Sequence, residues 1–270
     1  MSGAGGERSP VVARDAATVI LTRDTPAGVE VLLLERHRRS RMAPGAFAFP
    51  GGRVEAHDGG EAWGRLCRGL TGAEASSLLP DVRPPARAIG FWIAALREAF
   101  EETGLLLAYD RRGAPFVPDT VGRERLAEYR ARCHGDGRAF GAMLVQEALV
   151  LATDRMAYWA HWITPEERPV RYDTRFFVAA ALAGATPEPD GVEVVRARWL
   201  TPAAALAQHR AGEIALVFVT QRILTSLGAP PTVGALLEAA RSREIRPIRP
   251  RIVLADGQER FLLPGDPGYF

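Results

Sequence analysis

The most informative segment of the sequence is Arg97-Glu98-Ala99-Phe100-Glu101-Glu102-Thr103-Gly104-Leu105. On an α-helix, Glu98, Glu101 and Glu102 stand at positions i, i+3 and i+4, so their three carboxylates share one face. Gly104 suits the left-handed residue that commonly ends a helix. The spacing therefore predicts a helix that begins near residues 86–90 and ends at Gly104. Its opposite side carries an apolar stripe: Ile93, Leu96 and Phe100.

The acidic face of this helix has two interpretations. A run of like charges is most often a solvated surface, and it costs only a few tenths of a kcal/mol per pair, roughly. The alternative is a bound cation. The upstream stretch Phe49-Pro50-Gly51-Gly52-Arg53-Val54-Glu55 indicates a strand that ends in a Gly-Gly turn. Carboxylates beside glycine carbonyls would form an all-oxygen site, which Mg²⁺ and Mn²⁺ prefer.

Together these two stretches resemble the Nudix box, whose pattern is Gly-x5-Glu-x7-Arg-Glu-apolar-x-Glu-Glu-x-Gly-apolar. Gly52 opens the box, and residues 97–105 fill its closing half in register. The sequence departs from the pattern twice. Asp58 stands at the first acidic position instead of Glu, and 38 residues, 59–96, replace the seven of the pattern, an insertion of 31. The resemblance favours the cation site over the solvated face.

The resemblance implies an α/β Nudix fold, a mixed β-sheet sandwiched between α-helices, with an insertion inside the box and extra C-terminal helices. It plausibly covers residues 15 to about 210. At 270 residues and 47% hydrophobic composition, the chain has enough apolar residues for one elaborated domain. We expect a mobile N-terminus over residues 1–14 and a single domain over residues 15–270. Within it we expect an insertion at about 59–90, which looks like a surface excursion, and a helical and hairpin extension at about 212–270.

Hydrophobic periodicity and turn residues predict the individual elements. The predicted strands are 19–21, 29–34, 46–49, 105–107, 158–163, 175–182, 192–200, 252–254 and 261–263. The predicted helices besides the acidic one are 61–70, 123–133, 140–151, 215–227 and 232–243, with one more opening at Thr201-Pro202.

Bulk composition restricts the partners and the compartment. The net charge is +2, which predicts no strong attraction to nucleic acid or anionic membranes. All 34 basic residues of the Lys+Arg count are Arg, so a single Arg carries little weight as a signal. Cys67 and Cys133 have no CxxC spacing and fit reduced thiols. With no apolar run of the ~18 residues that a membrane span needs, the sequence predicts a soluble cytoplasmic protein.

By resemblance, the metal ligands would be Glu98, Glu101, Glu102 and the carbonyl of Gly51, and the metal Mg²⁺ or Mn²⁺. Glu98 could instead act as the general base, since family members differ in where that role falls. The catalytic residues implied by the resemblance are Glu98, Glu101 and Arg97, and the role of Arg97 is structural. Arg97 would pair with the first acidic residue of the box, which is Asp58 here. We expect the pair to survive, because a long loop can leave its two ends in place.

A further acidic residue from a later loop often completes such sites. Glu193 is our candidate, Glu147 and Glu188 are the rivals, and Asp58 is the other acidic residue near the box. An exposed acidic side chain without any role is an equally good interpretation of each.

The substrate is predicted from the stretch before the box. Arg41-x3-Gly45-x3-Phe49-Pro50-Gly51-Gly52 is similar to the latter half of a motif found in coenzyme A diphosphatases, and the interrupted box is similar to a long-insert branch that contains such enzymes. The front half of the motif is poorly matched. Arg36, Arg38, Arg39 and Arg41 precede the box and could bind phosphate bidentately. Arg36 and Arg41 are the chosen candidates for substrate binding, together with Gly52 and Arg175. Surface arginines without a role are as good an interpretation.

Three functions follow from the resemblance. The leading one is hydrolysis of the diphosphate of coenzyme A or acyl-coenzyme A, giving 4′-phosphopantetheine and 3′,5′-ADP. The second keeps the chemistry with another small nucleotide diphosphate, such as ADP-ribose or NADH. The third is a non-catalytic module that senses a nucleotide. The intact Glu98, Glu101 and Glu102 argue against the third, and Asp58 argues for it. Many members of this fold dimerise, so a homodimer is also implied.

Overall fold

The computed structural model describes residues 11–40, 42–255 and 257–269. A mixed β-sheet forms the middle layer, with strand order β10-β3-β2-β1-β8-β7-β11, β4 on β1 and β9 on β2. The strands are β1 (Arg14–Thr25), β2 (Gly28–Arg36), β3 (Ala46–Ala48), β4 (Gly51–Arg53), β5 (Ala108–Tyr109), β6 (Val150–Leu151), β7 (Met156–Ile163), β8 (Tyr172–Ala180), β9 (Val194–Leu200), β10 (Ala215–Leu216), β11 (Pro247–Ile248), β12 (Arg251–Ala255) and β13 (Gln258–Leu262). The helices are α1 (Gly72–Leu78), α2 (Gly90–Thr103), α3 (Thr120–Cys133), α4 (Arg138–Gln146), α5 (Pro202–Arg210), α6 (Phe218–Leu227) and α7 (Val233–Arg241).

Strand β1 is the centre of the sheet. It pairs antiparallel with β2 and β4 and parallel with β8. Val19, Ile20 and Leu21 are all fully buried although they alternate between the two faces. A strand that is apolar on both faces must be covered on both faces, and helices cover each of them.

Each face of the sheet carries its own apolar core. On one face α2, α3 and α4 pack with Val19 and Leu21 of β1. On the other face Ile20 packs with residues of α6 and α7. The predicted α/β architecture, a mixed sheet between helices, is therefore confirmed. Within the described residues, none of the helices is both long and apolar enough to cross a membrane.

Three predicted elements are wrong in part. Residues 105–107 are buried but form a connection, and the strand is β5, which follows them. The helix predicted over 140–151 ends at Gln146, because Ala148 adopts a positive φ of 52°; β6 follows. In the segment 215–227 the first residues form β10, and the helix begins only at Phe218.

The insertion differs from its prediction. The helix expected over 61–70 is a short 3₁₀ helix, Glu61–Arg65, and the α-helix is α1, which Thr71 and Glu74 cap reciprocally. Most residues between 61 and 87 are exposed, as expected of a surface excursion, but several apolar side chains of the insertion join the core that surrounds α2, which was not predicted. The buried side chains are Trp63, Leu70, Ala75, Leu79, Val82 and Ala88.

The two ends of the chain were predicted as a mobile segment and a hairpin. Residues 1–10 lie outside the described residues, while Arg14 already begins β1 and its N–H donates to the carbonyl of Arg171 over 2.9 Å. The hairpin is confirmed, since β12 and β13 pair antiparallel. Its predicted turn residue Asp256 lies outside the described residues.

Candidate active site between strand β4 and helix α2

Helix α2 presents its acidic face to β4. The helix ends as predicted: Gly104 has a φ of 71°, and its N–H donates to the carbonyl of Phe100 over 2.8 Å. Its apolar stripe is buried in the core. The predicted Gly-Gly turn, however, is a strand, because residues 51–53 pair with Ala16, Ala17 and Thr18 of β1. This pairing fixes the position of the two glycines relative to the helix.

Both glycines lie at close approaches, and at Gly51 the neighbouring atoms include backbone that cannot easily move. A Cβ on Gly51 would lie 2.5 Å from the carbonyl oxygen of Ala17. A Cβ on Gly52 would overlap the carboxylate of Glu98. The N–H of Gly51 donates to Oε2 of Glu102 over 3.1 Å. Two carboxylates of the acidic face therefore lie directly against this strand.

Arg97 holds the two halves of the box together. Its Nε and Nη2 donate to the two carboxylate oxygens of Asp58 over 2.8 and 2.9 Å, and Nη2 also donates to the carbonyl of Arg53. Asp58 is fully buried and accepts from the N–H of Glu55 over 2.8 Å. The predicted pair is thus present, bidentate and buried, despite the shorter side chain and the insertion between them.

Arg97 also contacts two glutamates of the acidic face. Its Nη1 donates to Oε1 of Glu98 over 2.9 Å and to Oε1 of Glu101 over 3.2 Å. Burial lowers the pKa of Arg97, but the hydrogen bond with Asp58 and the charges of these carboxylates raise it overall. The guanidinium therefore stays charged and positions three carboxylates at once.

The glutamates share more negative charge than Arg97 offsets. Burial raises the pKa of Glu98 to about 7, although the charge of Arg97 lowers it. Burial and the charge of Glu98 raise the pKa of Glu102 well above its ordinary value. Burial also raises the pKa of Glu101, against the opposing charge of Arg97. Such raised pKa values are typical of functional carboxylates.

The chemistry of these donors fits a hard divalent cation. All are oxygen atoms, two lie against the Gly51-Gly52 strand, and a cation would relieve their mutual repulsion. Over the described part of the chain, however, no three His, Cys, Asp or Glu side chains converge closely enough to form a complete metal site. Glu101 is turned to Arg97 and Glu102 to the N–H of Gly51. The ligand set of Glu98, Glu101, Glu102 and the Gly51 carbonyl stays a prediction.

Among the proposed additional acids, Glu193 is the one beside the cluster. Its charge raises the pKa of both Glu98 and Glu102. The N–H of His37 donates to the carbonyl of Glu193 over 2.8 Å, which ties this segment to the end of β2. No such interaction with Glu98 or Glu102 is found for the two rivals, both of which lie within the described part of the chain. Glu147 pairs with Arg125, and the N–H of Glu188 donates to the carbonyl of Thr103.

The predicted phosphate-binding arginines differ in their surroundings. Arg36 is near the cluster, because its charge lowers the pKa of Glu102. It also holds its own loop, donating to the carbonyl of Met42 over 3.1 Å and to the hydroxyl of Ser40 over 2.9 Å. Arg41 lies outside the described residues.

The substrate role of Arg175 stays a prediction, and the structure shows a structural role for it. Its side chain is buried in β8 and donates to the carboxylates of Asp173 and Asp81. It also lies over the ring of Phe91, 4.9 Å from the centroid. A buried guanidinium needs such partners, and these engage it between the sheet and the insertion.

Sequence reasoning missed Arg130. Its Nε donates to the carbonyl of Glu101 over 2.8 Å, so α3 supports the last turn of the acidic helix. No sequence signal distinguishes this residue, since it is one arginine among 34 basic residues on a helix that follows much later in the chain.

The comparisons with known proteins agree with this geometry. A family model described as the NUDT19 Nudix domain matches residues 13–219. The human protein named acyl-coenzyme A diphosphatase NUDT19 is 30% identical, over 92% of this chain and 74% of its own. Its chicken counterpart is 29% identical, over 74% of this chain and 64% of its own. The chain thus spans less than two thirds of the chicken protein. The crystal structure of a NUDIX hydrolase from Alicyclobacillus acidocaldarius superposes with a TM-score of 0.68 at 26% identity, covering 84% of this chain and 96% of that one.

Proposed function

The chain belongs to the NUDT19 Nudix domain family, and we propose that it hydrolyses the diphosphate of coenzyme A or acyl-coenzyme A in a reaction that depends on a divalent cation. Water would add to one phosphorus and the P–O bond of the anhydride would break, giving 3′,5′-ADP and 4′-phosphopantetheine or its acyl derivative. The names of the curated relatives support this choice of substrate.

One observation carries the proposal: Glu102, which is buried, and Glu98, which is partly buried, lie against the Gly51-Gly52 strand with raised pKa values. Burying like charges side by side costs stability unless a cation joins them. A protein that needed only a folded surface could dispense with such a cluster. The cluster therefore has a functional rather than a structural purpose.

Glu98 and Glu102 would hold the cation, with Glu101 and the Gly51 carbonyl as the further ligands that the family pattern implies. The cation, when bound, supplies charge neutralisation at the diphosphate and acidifies a water. If Glu98 does not hold the cation, its pKa of about 7 in the metal-free protein suits a group that takes a proton from water near neutral pH. Glu193, beside Glu98 and Glu102, is the alternative proton acceptor. Arg97 orients Glu98 and Glu101 through its Nη1.

A substrate panel tests the proposal. The protein is incubated with Mg²⁺ or Mn²⁺ and with coenzyme A, acyl-coenzyme A, ADP-ribose or NADH, and the nucleotide products are separated. We expect preferential release of 3′,5′-ADP. A preference for ADP-ribose or NADH would show that coenzyme A is not the substrate, while diphosphate hydrolysis would remain the reaction. Tight nucleotide binding without any turnover would instead indicate a sensor.

A pair of matched variants tests the site. Glu102→Gln should lower kcat by about a hundredfold or more, the magnitude typical of a lost electrostatic group. Glu147→Gln is the control, because Glu147 pairs with Arg125 away from the cluster, and its kcat should stay within about twofold. Equal activity of both variants would remove Glu102 from the site. A cytoplasmic location and a homodimer, expected from the sequence, stay predictions.

A further inference from the structure

A second concave site lies at the C-terminal end of α2, beyond the carboxylate cluster. It is a cavity of about 450 Å³ between the end of α2, α3 and the segment that follows β8. This volume falls in the range of about 300–1,000 Å³ that is typical of small-molecule sites. A void of this size is much larger than an ordinary packing defect between buried side chains.

The walls of this cavity are mostly apolar. Leu105, Leu106, Leu107 and Leu126 of α3 line it. Residues 181–186 also line it, and several of them are exposed, so the cavity is open to solvent. Apolar walls with an open side favour a ligand with a hydrocarbon portion over a polar metabolite.

One polar group without a partner lines the cavity. Arg130 uses its Nε to hold the carbonyl of Glu101, but its buried Nη2 has no hydrogen-bond partner among the described residues. Buried donors are normally paired, so an unpaired one needs an explanation. A carbonyl oxygen of a bound ligand would supply the missing acceptor.

The cavity is close to the carboxylate cluster and shares two structural elements with it. Glu98 and Gly104 are six residues apart on the same helix, which corresponds to about 9 Å of rise. The segment after β8 lines the cavity, contacts α2 through the N–H of Glu188 on the carbonyl of Thr103, and continues to Glu193 beside the cluster. A ligand longer than this distance could occupy both places.

We propose that this cavity, hereafter the acyl cavity, binds the acyl-thioester end of the substrate while the diphosphate lies at the carboxylates, and that Arg130 donates to a carbonyl oxygen where the acyl chain begins. This inference rests on the proposed function. In acyl-coenzyme A, the pantetheine arm likewise places the thioester at a distance from the diphosphate. The acyl cavity would then set the preference for acylated over free coenzyme A.

The first test fills the acyl cavity. Ala185 lines it and is partly buried, so Ala185→Phe should obstruct it. The ratio of kcat/KM for dodecanoyl-coenzyme A to kcat/KM for free coenzyme A should fall by about tenfold or more, since several methylene contacts are lost. Ala203→Phe, at an exposed position of α5, is the control and should leave the ratio as in the wild type. An unchanged ratio in Ala185→Phe would overturn the acyl cavity while the proposed function stands.

A second pair of variants avoids the core entirely. Val117 lines the acyl cavity with 72% of its surface exposed, and Val145 on α4 is a matched exposed valine outside it. Val117→Asp places a charge beside the hydrocarbon chain and should lower the same ratio, whereas Val145→Asp should not. These exposed positions keep the test valid if Ala185→Phe fails to fold.

A binding measurement separates the two proposals. The fluorescence of 11-(dansylamino)undecanoic acid is titrated with each protein, without coenzyme A or metal. We expect wild type and Val145→Asp to bind the probe and Val117→Asp to bind it at least about tenfold more weakly. If no coenzyme A compound is turned over, the proposed function fails. The probe titration still shows whether the acyl cavity binds a hydrocarbon chain. A wild-type protein that does not bind the probe overturns the acyl cavity.

Discussion

Two buried arginines form ion pairs at the inserted segment, and their surroundings differ in charge balance. Arg97 joins the two halves of the box that flank the segment and contacts Asp58, Glu98 and Glu101. Arg175 contacts Asp173 and Asp81. Both side chains are almost inaccessible to solvent. By residue type, burial and ion pairing alone, the two sites look equivalent.

The carboxylates around the two arginines respond in opposite ways. Around Arg97, burial raises the pKa values of Glu98 and Glu101 despite the guanidinium. Around Arg175, burial raises the pKa of Asp173, but the hydrogen bond with His161 and the charge of Arg175 lower it overall. At the first site three carboxylates contact one guanidinium, and burial disfavours the ionised forms of Glu98 and Glu101. At the second site the hydrogen bond with His161 and the charge of Arg175 favour the ionised form of Asp173. An excess of buried carboxylates favours binding of a cation or a proton, whereas a matched ion pair favours an anchor.

The largest expected effect follows from removing Arg97. Arg97→Met leaves Asp58 buried without its partner, which should cost about 3–5 kcal/mol of unfolding free energy. Urea unfolding measures this change, and kcat should fall together with it because Glu98 and Glu101 lose their orientation. Arg97→Lys keeps the positive charge but cannot bind Asp58 bidentately, so the loss of unfolding free energy should be intermediate. A loss of less than about 1 kcal/mol in Arg97→Met would contradict the anchoring role of this pair.

The pH dependence of stability should also separate the two sites. The pKa of Glu98 is raised to about 7, so its protonated form favours folding, and that contribution is present at acidic pH and lost as pH rises through 7. The pKa of Asp173 is lowered, so its contribution is lost only in acid, below its ordinary pKa. Between pH 5 and 8, of the two sites, only the one around Glu98 should change the free energy of unfolding.

Unfolding free energies of the wild type at pH 5 and pH 8 measure that response. We expect a fall of about 2–3 kcal/mol from Glu98, and a smaller fall in Glu98→Gln, which cannot ionise. Mg²⁺ should restore part of the loss at pH 8 and little at pH 5, because the cation competes with protons for the same carboxylates. Stability that is equal at both pH values in the wild type would argue against the excess charge at this site.

The Arg97 site was predictable from the sequence, and the Arg175 site was not. Helix α2 has its period, its acidic spacing and its terminal Gly104 within one continuous stretch, and the family pattern adds the partner Asp58. Arg175 and Asp81 are 94 residues apart, and nothing in either local sequence relates them. Local patterns report local structure, whereas a pair formed by tertiary packing leaves no periodic signal.

The same reasoning explains why the burial of several side chains of the insertion was not predicted. Its prolines and glycines indicate loops, and its buried residues, such as Trp63, Leu79 and Val82, follow no helical or strand period. Their burial depends on α2, whose surface the insertion covers. Arg130 was missed for a related reason, because its contact with Glu101 exists only once α3 packs beside α2.

The smallest expected effect comes from Asp81, the partner of Arg175 in the insertion. Its side chain is 53% exposed, but Arg175 is buried and its Nε has no hydrogen-bond partner among the described residues. Asp81→Asn should therefore cost about 1–2 kcal/mol, more than an ordinary surface pair. Glu259→Gln, which breaks the exposed pair with Arg168, is the control and should cost no more than about 0.5 kcal/mol. Because the carboxylate cluster is untouched, kcat/KM of Asp81→Asn should stay within about twofold of the wild type. A variant with normal stability but impaired turnover would reverse the distinction between the two arginines, because Arg175 and the insertion would then act on the substrate rather than on the fold.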